Sequence, residues 1–232
     1  NDIGLDTIEA GNAVAVAMEA GVIEFGDVAG AVNLLEEIRK GSPLGHIVGN
    51  GAEMVGKSFG VVRVPTVKGQ AMPMHEPRWK QALGLGYAVS PTGADHCHSI
   101  FDTAFAGNGR ALESLRAMGP FDPLPAADLG PAKVRLFYYE HLWTALDNAL
   151  GMCIFLPYSH RQIVELVAGV TGWRTSTWEL AKVGERITTL CRLFNVREGL
   201  RREDDKLPER FFEPLNDGTS GPLQIDRQQM SE

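Results

Sequence analysis

The sequence predicts a mainly α fold in two helical domains, and three observations support it. Apolar residues recur at helical spacing along most of the chain, and capping residues stand where those runs begin. One stretch, residues 60–74, breaks the pattern with Val61, Val62, Val64, Pro65, Val67 and Pro73, which read as extended chain. A domain boundary in that break gives domains of 1–70 and 71–232.

The first helix opens at Asp6, with Glu9 at the capping-box position, and runs through Ala13, Val14, Ala15, Val16 and Ala17 to Gly21. So many small residues imply close neighbours on more than one side. Asp27 caps a second helix, on which Val28, Val32, Leu35 and Ile38 form a stripe; Arg39 and Lys40 fill its last turn and Gly41 ends it. A third, weaker helix covers Leu44 to about Met54. Pro77 fits the first turn of the helix after the break. Residues 117–132, with Pro120, Pro123, Pro125, Gly130 and Pro131, read as a loop or lid.

From Ala132 a strong helix runs through Val134, Phe137, Tyr138, Leu142 and Leu146 towards Cys153. Its aromatic residues and His141 read as packing. Two helices follow, one over about 161–170 and one capped by Ser176 with Glu179 at the box position. The second lines up Leu180, Val183, Ile187, Leu190 and Phe194, with Cys191 as buried packing beside them.

Composition excludes some classes of function. The chain has 232 residues, 44% of them hydrophobic, and a net charge of −7. Its dense basic cluster, Arg197 to Arg202, is followed at once by Glu203, Asp204 and Asp205, which argues against a general nucleic-acid binder. No apolar run approaches the about 20 residues of a membrane span. Three scattered cysteines, Cys97, Cys153 and Cys191, cannot build a disulfide framework and point to a reducing compartment, the cytoplasm. The first residue is Asn, not Met, and a motif stands at the very start, so the chain is expected to be a piece of something longer.

That motif, Asn1-Asp2-Ile3-Gly4-Leu5-Asp6, recurs at the end of the long helix as Asn148-Ala149-Leu150-Gly151-Met152-Cys153. The shared pattern is N-x-x-G-[LM]-[DC]. A glycine there lets backbone amides approach a ligand, and two copies suit two halves of one pseudo-symmetric ligand. Two unrelated helix-end glycines would explain the spacing equally well. A second cluster, Gly93-Ala94-Asp95-His96-Cys97-His98, has the residue types of a metal site. No C-x-x-C or H-x-x-x-H pair stands elsewhere, and consecutive side chains diverge, so a shared ion is not expected.

The paired motifs resemble the D-x-x-G-L-[DC] loops of the tungsten-containing aldehyde:ferredoxin oxidoreductases. Further matches follow in order at Lys68-Gly69, Pro73 to Arg78, Gly93 to His96 and Thr171-Gly172-Trp173, then at Phe194-Asn195, Arg197-Glu198-Gly199 and Leu207 to Phe211. The resemblance implies the second domain, in part, and the third domain of that family, both helical. It implies that Asn1, Gly4, Leu5 and Asp6, with Asn148, Gly151 and Met152, hold a tungsten (or molybdenum) bis-pyranopterin. Cys153 would be one ligand of a [4Fe–4S] cluster, the other three cysteines lying upstream of the first motif.

In that family the histidine of G-A-D-H lies beside the metal, the position His96 takes. His75 stands where members often carry Tyr in Y-D-P-R, a side chain that reaches the substrate pocket; here a turn-capping role is the alternative. Thr92 replaces the Arg of N-R-G-A-D-H. Asp6 reads as an N-cap whose carboxylate also accepts from a pterin amino group. The implied reaction oxidises an aldehyde with water to a carboxylic acid, with ferredoxin or another low-potential carrier as partner and a homodimer as an admissible assembly. The competing reading is a catalytically silent helical interaction domain, favoured by Asn1 and Asn148 in place of acids and by His75.

Overall fold

The computed structural model describes residues 1–119, 122–215 and 223–231; Pro120, from the predicted loop, falls outside them. The fold is mainly helical and divides into two compact units. The first comprises Asn1–His75, Tyr87–Asp95 and Glu203–Gln224; the second comprises Glu76–Gly86, His96–Arg202 and Ile225–Glu232.

In the first unit, α1 (Thr7–Glu19) begins at Asp6, whose carboxylate accepts from the amides of Ile8 and Glu9. Glu9 does not close the predicted capping box. Its carboxylate instead accepts from Ala52 N and Ala71 N, both at 2.8 Å, so one buried-side acid satisfies two distant backbone donors. That choice accounts for a second departure. The expected single helix from Leu44 is two, α3 (Pro43–Gly49) and α4 (Ala52–Phe59), with Gly51 between them at φ +93°. Only a glycine adopts that angle without strain, and Glu9 then caps the new start.

Helix α2 (Val28–Lys40) has the predicted Asp27 cap and Gly41 terminus. Of its stripe only Ile38 packs against the core, however: Val28 is 75% and Val32 53% exposed, while Leu34 is the buried residue. The core of this unit is built from Ala13, Val14, Val16 and Ala17 of α1 with Val48, Ala52 and Val55. The small side chains of α1 let its neighbours approach closely.

The break at residues 60–74 holds a short hairpin, β1 (Thr66–Val67) and β2 (Gln70–Ala71), paired antiparallel. Its two-residue turn is Lys68-Gly69, with φ +49° and +83°, the left-handed pair that a type I′ turn requires. Lys68 is held there because its ammonium, almost wholly buried, donates to Ala88 O and Ser90 O and pairs with Asp205 at 2.8 Å.

In the second unit, α7 (Pro131–Leu150) is the central element, and Leu136, Phe137, Trp143 and Leu146 pack with Ile100, Phe105, Leu112, Leu115, Ile163 and Leu180. Helix α5 (Gln81–Val89) starts four residues beyond Pro77, which stands in the preceding turn, so Pro77 is not at the first helical position. Its start is set by Asp102, whose carboxylate accepts from Ala82 N and Leu83 N and from the ammonium of Lys133. Helix α6 (Arg110–Leu115) precedes the loop, and α8 (His160–Thr171) opens with a full capping box, Ser159 with Gln162.

Helix α9 (Thr177–Arg197) packs against α7, where Gly184 sits over the Leu142 carbonyl. The predicted stripe on α9 divides: Leu180 is buried, whereas Leu190 and Phe194 are 65% and 63% exposed. A five-residue helix, α10 (Arg227–Ser231), closes the described chain.

Candidate functional site

The two N-x-x-G motifs share one local geometry. Gly4 N donates to Asn1 O at 2.8 Å, and Gly151 N donates to Asn148 O at 3.1 Å. Both glycines are left-handed, at φ +80° and +69°. A Cβ added at either would meet nothing within 4 Å, so both turns face open space. The local reasons differ. At the second motif the turn is a Schellman ending of α7: Met152 N donates to Asp147 O, Gly151 occupies the left-handed position, and Met152 packs on the core. At the first, the turn leads straight into the Asp6 cap of α1.

Asn1, Gly4 and Asp6 are exposed and Leu5 is half-buried. Asn1 and Leu5 help to line an apolar groove of about 790 Å³, together with Ile3, Val14, Val28 and Val32. Asn148, Gly151 and Cys153 are exposed, with Met152 half-buried; the thiol of Cys153 is free. Leu156 N donates to Cys153 O, and the apolar Ile154, Phe155 and Leu156 extend the exposed loop. The first motif belongs to the first unit and the second to the second unit.

The G-A-D-H turn is built on the hairpin. Gly93 has φ +117°, and a Cβ there would lie 2.4 Å from Val67 O, so the close approach of backbone to backbone demands glycine. His96 opens a 3₁₀ turn, His96–His98, and is half-buried, with the Phe101 ring edge-on at 6.1 Å. Its Nε2 lies 3.9 Å from Cys97 Sγ, so these two neighbours diverge less than consecutive side chains in a longer helix. The backbone of His98 serves packing instead: its carbonyl accepts from His141 Nδ1 at 2.7 Å. His75 is half-buried at the end of the first unit, and its carbonyl lies 3.5 Å from the hydroxyl of the buried Tyr87. Beyond it, Arg78 is buried and held by the Glu76 carboxylate.

Groups that sequence reasoning passed over lie on α7 and α8. Burial, with the charge of Asp147 second, pushes Glu140 up to about 7, and burial pushes Asp147 up to about 6. Burial also pushes His160 down to about 4; its ring stacks on the Trp143 indole at 3.8 Å. A signal for the first two was present. Glu140 and Asp147 stand seven residues apart on a helix otherwise read as apolar.

Comparison with known proteins agrees with the motifs. The family described as aldehyde ferredoxin oxidoreductase, domains 2 and 3, matches residues 1–232. The tungsten-containing aldehyde ferredoxin oxidoreductase of Pyrococcus furiosus is 29% identical over 237 residues, covering 94% of this chain and 37% of that protein. The protein of the same name from Pyrococcus horikoshii is also 29% identical, with 94% and 38% covered. The chain thus spans well under half the length of these relatives.

Among solved structures, a chain of the active site complex BamBC of benzoyl coenzyme A reductase, in complex with 1,5-dienoyl-CoA, shares the fold. Its TM-score is 0.63 at 19% identity, over 89% of this chain and 38% of that one. Among the described residues no helix is long and apolar enough to cross a membrane. With the family matched along its whole length, the chain belongs to the aldehyde ferredoxin oxidoreductases, as a portion of their domains 2 and 3.

Proposed function

We propose that this chain supplies pterin-holding loops and one cluster ligand to an enzyme that oxidises an aldehyde, with water, to a carboxylic acid. The observation that carries the reading is the shared turn at Gly4 and Gly151, open in front of both glycines, in a chain of this family. When bound, a tungsten or molybdenum bis-pyranopterin supplies two-electron oxidation, and a [4Fe–4S] cluster passes the electrons singly to ferredoxin or another low-potential carrier. Residues 1–70 are read as the second domain in part and residues 71–232 as the third.

The residues fit such groups. Asn1, Gly4 and Asp6, with Asn148 and Gly151, present exposed backbone and short polar side chains to a ligand rich in N–H and C=O groups, and the half-buried Leu5 and Met152 stand beside them. Cys153 offers one exposed thiol; a cluster needs four, and three would come from elsewhere in the full-length protein. His96 holds or donates a proton beside the reacting carbonyl, its imidazole having one nitrogen that can donate and one that can accept. His75 orients the substrate by a hydrogen bond. Asn at positions 1 and 148 keeps the acceptor oxygen of an acid and loses its charge.

Elemental analysis of the full-length protein tests this. About one tungsten or molybdenum and about four iron per chain are expected in the wild type. Cys153→Ser is expected to lose iron, and His96→Asn to keep both metals while turnover falls about 100-fold. A full-length protein without either metal would instead be the silent helical domain.

A further inference from the structure

The loop that follows Cys153 is apolar where a surface loop is ordinarily polar. Ile154, Phe155, Leu156 and Tyr158 are all exposed, Phe155 to 87%, whereas Met152 just before them packs on the core. Exposed apolar side chains gathered in this way mark a surface that something else meets. The loop is also held in place. Leu156 N donates to Cys153 O at 3.0 Å, Arg110 of α6 donates to Pro157 O, and Ser159 begins α8 with its capping box. Ser159 and Arg161 then line, with Arg110, Ser114 and Thr177, one hollow of about 330 Å³. The loop, α6, the first turn of α8 and the start of α9 thus present one continuous surface.

That surface is basic on a chain whose net charge is −7. Residues 110–116 and 151–176 hold Arg110, Arg116, Arg161 and Arg174 against only Glu113 and Glu165. Arg116 and Arg161 pair with those two acids at 3.0 and 3.1 Å, in exposed pairs that solvent screens. Arg110 and Arg174 meet no acid among the described residues. The patch therefore has an apolar centre and an arginine rim, the side-chain types on which transient partners rely.

We propose that the loop Ile154–Tyr158, rimmed by Arg110, Arg161 and Arg174, is the docking surface for an acidic one-electron carrier. The inference rests on the reading of Cys153 as a cluster ligand. Each aldehyde and water that become a carboxylic acid release two electrons, and two protons that go to solvent. The cluster hands one electron to each of two carrier molecules in turn; both leave reduced, and the cluster returns to its oxidised state. Phe155 is two residues from Cys153, so their backbones lie within about 7 Å of each other. Opposite charge steers the approach, the small apolar centre sets the orientation, and a total buried area below about 1,200 Å² lets the carrier leave again. A second copy of this chain, meeting the patch across a two-fold axis, would set arginines against arginines.

The test uses the full-length enzyme with its metals in place, and as probe a small acidic ferredoxin holding two [4Fe–4S] clusters. Its binding to the wild type is expected to weaken as salt is raised. Phe155→Ser, and the double variant Arg161→Glu with Arg174→Glu, are each expected to raise the Kd for that ferredoxin, and its KM as acceptor, about tenfold. Metal content and turnover on benzyl viologen, a small dye that needs no docking surface, are expected to stay at the wild-type level. Both sites are exposed, and an acid at position 161 falls in the first turn of α8, where the helix dipole favours it, so the variants are expected to fold. Unchanged Kd and KM overturn the docking surface. Loss of iron or of viologen turnover in the variants also overturns it, by placing the loop inside the enzyme. A change from dimer to monomer in light scattering overturns it too, by giving the face to a second copy. Each of these leaves the oxidoreductase reading standing, whereas a wild-type protein without iron overturns both.

Discussion

His160 and Glu140 pull the stability of this chain in opposite directions as pH changes. The folded-state value of His160 is about 4 against an ordinary 6.5, so the unfolded chain binds the extra proton between those values. Its contribution is present above about 6.5 and lost as pH falls towards 4. Glu140 is raised from 4.5 to about 7, so the folded chain binds the extra proton there; its contribution is full below 4.5 and lost as pH rises through 7. Thermal unfolding across this range checks both. His160→Phe is expected to flatten the acid-side fall in Tm, and Glu140→Gln the fall on the neutral side. Phe also preserves a flat ring against Trp143, so the stack is retained.

At the scale of elements, two glycines of similar sequence context differ in what they permit. Gly184 lets α9 approach α7 so closely that an added Cβ would lie 2.0 Å from Leu142 O, whereas Gly169 of α8 has nothing within 4 Å. Gly184→Ala is expected to destabilise by about 1–3 kcal/mol or more through forced separation of the helices. Gly169→Ala is expected to stabilise by up to about 1 kcal/mol through helix propensity. Denaturant midpoints of the two variants decide it.

Nothing in the sequence distinguishes these glycines, because the difference is the distance to a backbone 42 residues away. Helix ends were legible at several places where the capping partner is local, as at Asp6, Asp27 and Gly41, although the local caps Ser42 and Ser159 were passed over. They were not legible where it comes from afar: Glu9 caps α4, and Asp102 caps α5. The paired N-x-x-G motifs, read from spacing alone, do adopt one turn. Glu140 and Asp147 on α7 were missed because the aromatic residues between them dominate the pattern.

At the scale of the whole molecule, two helix faces of the described residues are left bare. The stripe Val28, Val32 and Leu35 on α2, and the stripe Leu190, Leu193 and Phe194 on α9, each have the spacing of a buried helix face and each is exposed. Contiguous apolar surface of this kind normally meets a partner, and the relatives are well over twice as long as the matched region. The chain produced by itself is therefore expected to bind an apolar dye and to self-associate as concentration rises. Val32→Glu and Phe194→Glu place a charge on each stripe without touching either core, and each is expected to lower dye binding and shift light scattering towards the monomer. In the full-length protein the same substitutions are expected to lower Tm, because a charge buried against another part of the polypeptide stays unpaired. A full-length protein indifferent to both would mean that these faces meet solvent in the parent as well.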